Sequence, residues 1–131
     1  HSYCIHYFHI IWSTKNREPW IKKEVQDRLY TFLGGLIRNH NGKLVEIGGM
    51  PDHIHMLIEL SVLDGFTSLI REIKSSSSLW IHQNYPRLKA FAWQEGYGSF
   101  SVSFSALRDV RSYIQNQEKH HTNRSFDQEY M

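Results

Sequence analysis

Residues 53–60, HIHMLIEL, constrain the fold more than any other stretch of the chain. In a β-strand, successive side chains point to opposite faces. Ile54, Met56, Ile58 and Leu60 then form an unbroken apolar face, and His53, His55, Leu57 and Glu59 share the other. The apolar face demands a layer of secondary structure packed against it. Packing does not account for the two histidines opposite.

The flanking sequence indicates what that layer is. YCIHYFHIIWS, residues 3–13, is rich in β-branched and aromatic side chains and reads as a long first strand. After a turn around Pro19, the positions Ile21, Val25, Leu29, Phe32, Leu33, Leu36 and Ile37 recur at spacings of three and four, which predicts an amphipathic helix ending at Asn41-Gly42. KLVEIGGM reads as a strand that turns through Gly48-Gly49 and Pro51-Asp52 into residues 53–60. Phe66, Leu69, Ile70, Ile73, Trp80 and Ile81 stay in helical phase across the serine run Ser75 to Ser78, so one helix is expected there rather than a linker. One or two short strands follow around Gly96 and Gly98. A last helix carries Leu107, Val110, Ile114 and His121 on one stripe, with Ser105 as its N-cap. The order β-α-β-β-α-β plus a C-terminal helix specifies an α+β fold of ferredoxin-like character, an antiparallel sheet with helices packed on one face.

A length of 131 residues suits a single domain spanning 1–131. Cys4 is the lone cysteine, so no internal disulfide is available and a reducing cytoplasm is the expected location. No apolar run approaches the roughly 20 residues needed to span a bilayer, and no membrane partner is expected. The formal charge of +2 does not by itself indicate nucleic-acid binding.

With helices covering one side of the sheet, His53 and His55 are expected on the open side. Alternate strand residues lie about 7 Å apart, so two imidazoles can converge on one ion. The same pattern also describes two solvated surface histidines. On the last helix Tyr113 and Gln117 lie four residues apart on one face, with His120 a turn further on. That stripe is displaced by roughly 80° from the Leu107-Val110-Ile114 stripe, at about 100° per residue, so it borders the buried face. It describes either a side chain reaching into a site or a boundary tyrosine beside a solvated glutamine.

Taken together, PDHIHMLI, WQEGYGSFSVS and YIQNQEKHH, preceded by FHIIWSTKNR, resemble the single-tyrosine HUH transposases of small bacterial insertion sequences and their REP-associated relatives. His53-Ile54-His55 matches the histidine-hydrophobic-histidine motif, and the resemblance runs over nearly the whole chain. It implies an enzyme in which Tyr113 is the nucleophile and His53, His55 and Gln117 bind a divalent cation, Mg²⁺ or Mn²⁺. The implied substrate is single-stranded DNA with hairpins. The implied assembly is a homodimer whose sheets join and whose tyrosine helices can complete sites in trans, through either the first strand or the strand around Phe100. His120 then becomes a candidate support for the metal ligands.

Lys15, Arg17, Arg71 and Lys74 are candidate phosphate contacts, alongside Lys22, Lys23, Arg87 and Lys89. Trp93 and Tyr97 are candidate base-stacking platforms. Two other readings stand beside the enzyme: a domesticated or inactive relative that binds hairpins without cutting, and a zinc hydrolase using the histidine pair without Tyr113.

Overall fold

A computed structural model of the chain describes residues 4–61 and 65–117. The strands are β1 (His6–Ser13), β2 (Gly42–Met50), β3 (His53–Leu60) and β4 (Gly98–Val102), and the helices are α1 (Lys23–Asn39), α2 (Phe66–Asn84) and α3 (Leu107–Gln115). The sheet order is β2-β3-β1-β4, with every neighbouring pair antiparallel. This is the ferredoxin-like arrangement expected, with α3 appended. Among the described residues no helix is long and apolar enough to cross a membrane.

One face of the sheet builds the main core. Ile10 and Trp12 of β1 and Ile54, Met56, Ile58 and Leu60 of β3 pack with Val25, Leu29, Leu33 and Ile37 of α1 and Leu69, Ile70, Ile73 and Ile81 of α2. The three-four spacing of α1 is used as read, and Asn41 closes that helix with φ 63°, a conformation asparagine tolerates better than most residues. α2 runs unbroken through the serines. Ser77 is fully buried, donates to the Ile73 carbonyl at 2.6 Å and accepts the Trp93 indole N–H at 3.0 Å. A larger residue would push that indole away.

The second face is not open. β3 is buried along its length except at Glu59, and His53 and His55 are both 0% exposed. The helix responsible is α3, which lies across this face instead of joining α1 and α2. Its position depends on two features of β2. The register shifts between Leu44 and Glu46, so Val45 is a surplus residue and the alternation of the strand is reset. Beyond this bulge, Glu46 and Gly48 stand opposite Leu57 and His55, on the histidine side. Glu46 Oε1 accepts from Gln115 Nε2 at 2.9 Å and from Arg111 Nε at 3.3 Å. Gly48 lets the backbone of Ile114 come so close that a Cβ there would lie 2.3 Å from the Ile114 carbonyl oxygen.

Two expectations change. Ser105 is not the N-cap of α3: Ala106 occupies that position without a side-chain bond, and the Ser105 hydroxyl pairs with Ser103 at 3.2 Å. β1 cannot be a sheet edge, because it is hydrogen-bonded to β3 on one side and β4 on the other. The edges are β2 and β4.

Candidate active site

The sheet brings three histidines together, one more than the sequence motif suggested. His53 and His55 emerge on the same side of β3 with ring centroids 5.2 Å apart and planes at 70°. His9 projects from β1 beside them, its Nε2 lying 2.9 Å from His55 Nδ1. Tyr113 enters from α3, with its ring centroid 5.8 Å from His55 and 6.2 Å from His9, edge-on to both. One chain therefore places the tyrosine next to its own histidine pair.

Around these rings runs a layer of polar support. Asp52 Oδ1 accepts from His53 Nδ1 at 2.8 Å, and Asp52 Oδ2 accepts from Arg17 Nε at 3.0 Å. Burial is the largest single influence on Asp52 and raises its pKa. The hydrogen bond from His53, together with the charge and hydrogen bond of Arg17, outweighs it and holds the carboxyl below its usual value. Gln117 follows a break at Asn116, is 2% exposed, and donates through Nε2 to the Tyr113 carbonyl at 3.1 Å. Its Oε1 is buried with no hydrogen-bond partner among the described residues. No group of three or more His, Cys, Asp or Glu side chains suited to a metal occurs there either. Two imidazoles and an amide oxygen are a donor set suited to a divalent cation, and the buried Gln117 Oε1 is an atom that such an ion would satisfy.

Burial keeps His9 neutral, lowering its pKa from 6.5 to about 4. The unfolded chain takes up this proton near pH 6.5 and the folded chain only near 4, so stability falls as pH drops across that interval and is unaffected above it. The loss is about 3 kcal/mol, at about 1.4 kcal/mol per unit. Chemical denaturation of chelator-treated protein between pH 6.5 and 4 is expected to show this loss, and His9→Gln to remove most of it. An unchanged slope in H9Q would place the acid sensitivity elsewhere.

A profile of the IS200-like transposases matches residues 2–117. The chain belongs to this family. Among curated members it is 25% identical over 115 residues to the ISDra2 transposase TnpA of Deinococcus radiodurans, covering 84% of this chain and 82% of that protein. To the transposase of the insertion sequence IS200 from Salmonella typhimurium it is 26% identical over 115 residues, covering 84% of this chain and 75% of that one. A crystal structure of a candidate transposase from Deinococcus radiodurans R1 superposes with a TM-score of 0.71 at 25% identity, covering 89% and 92% of the two chains. The REP-associated tyrosine transposase bound to a REP hairpin shares the fold, with a TM-score of 0.69 at 20% identity over 92% of this chain and 72% of that one.

As an IS200-like transposase, the chain acts in DNA transposition, and its other expected site residues divide. Lys15 is exposed. Arg17 is paired with Asp52. Arg71 is exposed on α2, across the sheet from the histidines. Lys74 donates to the carbonyls of Gln94 at 2.7 Å and Gly96 at 3.0 Å, tying α2 to the segment before β4. His120 and His121 lie outside the described residues. The sequence reading missed His9 and Asp52. His9 breaks the apolar run of the first strand, and Asp52 reads in the sequence only as a turn residue; nothing local links either to the pair.

Proposed function

We propose that the protein is a metal-dependent single-stranded DNA transposase that nicks and rejoins hairpin-bearing insertion-sequence ends through a 5′-phosphotyrosine on Tyr113. The observation that carries this reading is the meeting, beneath α3, of a tyrosine with two buried histidines on one strand. A solvated histidine pair would have no reason to lie under a helix, and a hydrolase would have no use for the phenol.

His53 and His55 through Nε2, and Gln117 through Oε1, would hold Mg²⁺ or Mn²⁺. These ligands are neutral, so a bound cation supplies its full charge to polarise a scissile phosphate. Tyr113 attacks phosphorus, a P–O bond forms to the phenol oxygen, and the bond to the 3′-oxygen breaks. The phenol proton ends on the departing 3′-hydroxyl, so the step needs no net acid, base or nucleotide cofactor. In the reverse direction a different 3′-hydroxyl attacks the phosphotyrosine and the phenol leaves, which joins new strands. The proposed substrate is of the kind bound by the REP-associated tyrosine transposase, which shares the fold.

The assembly proposed is a homodimer joined along β4, working on DNA in the cytoplasm as one domain. β4 is an edge strand, and Phe100 and Phe104, at 42% and 78% exposure, give this edge an apolar border. Lys15 and Arg71 remain the exposed candidates for phosphate contact, and Tyr113 serves the site of its own chain.

Incubation with end-labelled hairpin DNA and Mn²⁺ or Mg²⁺ is expected to yield an adduct that survives denaturation, and a chelator to abolish it. Hairpin binding without adduct, across both metals and all candidate ends, would instead identify a non-cutting relative.

A further inference from the structure

Both histidines of the pair are engaged from behind at the same ring atom. Asp52 Oδ1 lies 2.8 Å from Nδ1 of His53, and His9 Nε2 lies 2.9 Å from Nδ1 of His55. A carboxylate can only accept, so neutral His53 carries its proton on Nδ1 and its lone pair on Nε2. The imidazole-imidazole contact allows two directions. If His9 donated, His55 would carry its proton on Nε2 and offer an N–H where its neighbour offers a lone pair. Two such unlike atoms cannot hold one cation.

We infer that Asp52, braced by Arg17, and His9 are positioning residues that fix His53 and His55 as Nδ1–H tautomers, turning both Nε2 lone pairs into the site. This inference rests on the cation-binding reading above. In it His9 accepts from His55 Nδ1–H and carries its own proton on Nδ1. Carboxylates and neutral acceptors behind histidine ligands play this part at metal centres generally, because the rear hydrogen bond sets both tautomer and ring orientation.

The bracing of Asp52 is built into a strained backbone. Arg17 Nε and one terminal nitrogen both reach Asp52 Oδ2 at 3.0 Å. Asn16 and Arg17 sit consecutively in the left-handed region, with φ of 58° and 57°. Asparagine tolerates that region; arginine rarely enters it. Surrounding bonds impose it: Thr14 N–H donates to the Asp52 carbonyl at 2.9 Å, Thr14 Oγ1 to the Glu18 carbonyl at 2.7 Å, and Lys15 N–H to the Ala92 carbonyl at 2.9 Å. The loop after β1 is thus pinned to the turn before β3, and Arg17 is aimed at the carboxylate behind His53.

Long-range ¹H–¹⁵N correlation spectra of the metal-free protein read each tautomer directly, and electron paramagnetic resonance of free Mn²⁺ reads affinity. The native protein is expected to show His53 and His55 both protonated at Nδ1. Asp52→Ala should move His53, and His9→Leu should move His55, toward the Nε2–H form, each weakening Mn²⁺ binding by about 10- to 100-fold. His9→Gln, whose amide oxygen can accept, should restore the His55 tautomer and most of the affinity. Arg17→Met should weaken binding less than Asp52→Ala.

A native spectrum with His55 protonated at Nε2 would overturn the inference without any variant. So would folded D52A and H9L proteins that keep both tautomers and native affinity, since a merely structural role lowers melting temperature without moving protons. Failure of the native protein to bind Mn²⁺ would count against the proposed function, whereas the tautomers of the metal-free protein would still decide this inference.

Discussion

Tyr113→Phe is expected to lower adduct formation with hairpin DNA by at least about a thousandfold, because the attacking oxygen is removed outright. Everything else at this position is conserved. The phenyl ring keeps its edge-on approach to His55 at 5.8 Å and His9 at 6.2 Å. Loss of a single hydroxyl should change stability by about 1 kcal/mol or less. Hairpin affinity, measured by fluorescence anisotropy, should stay within about twofold, since Lys15 and Arg71, the proposed phosphate contacts, are untouched. The variant also separates the alternatives. A hydrolase using only the histidines would keep cutting in Y113F and would leave no covalent complex at any stage. Native levels of adduct in this variant would remove Tyr113 from the chemistry.

Gly48→Ala should be nearly as damaging, although it touches no reacting group. The added Cβ would meet the Ile114 carbonyl oxygen at 2.3 Å and the carbonyl carbon at 3.2 Å. Both are backbone atoms, so no rotamer change relieves the clash. Either the strand bends or α3 lifts, and overpacking of this kind costs about 1–3 kcal/mol. α3 is the element that gives, because a nine-residue helix has little stability of its own. Lifting it carries Tyr113 away from His55, and a displacement of about 1 Å at a reacting group can lower a rate by about 100-fold. Adduct formation should fall by that factor or more, with faster amide exchange confined to α3. Gly35→Ala is the control. A Cβ at Gly35 meets only the Arg38 guanidinium, at 3.8 Å, inside α1. The same change there should stabilise the protein by about 0.5–1 kcal/mol and leave adduct formation unaltered. Equal behaviour of the two variants would mean that the approach of α3 to β2 does not position the tyrosine.

The contrast between those glycines marks the limit of what a sequence reveals. β3 was legible because alternation depends on the strand alone, and α1 because its apolar spacing is a local property. The serine run in α2 was legible since the helical phase on either side agreed. The side of the sheet chosen by α3 was not. Amphipathicity says that Ile114 will be buried, but not against which face, and burial of His53 and His55 follows from that choice. His9 was missed because its neighbours lie on β3 and α3, 46 and 104 residues away. Their convergence depends on the pairing of His9 with Leu57, which no local pattern specifies. Arg17 looked like a phosphate contact because only the loop geometry reveals its carboxylate partner. Motif recognition named His53, His55, Tyr113 and Gln117 as candidates; the layer behind them needed three dimensions.

The surplus residue at Val45 ties these observations together. It acts as a phase shifter, letting a single ribbon serve two clients: Leu44 answers to the hydrophobic interior, while Glu46 and Gly48 cradle the helix that delivers the phenol. Loss or gain of one residue here would rotate that cradle to the wrong side while leaving all four motif residues in place. Such a chain would keep its signature and lose the mooring of Tyr113, so the count of residues between β2's two halves is as much a part of this candidate site as the histidines themselves.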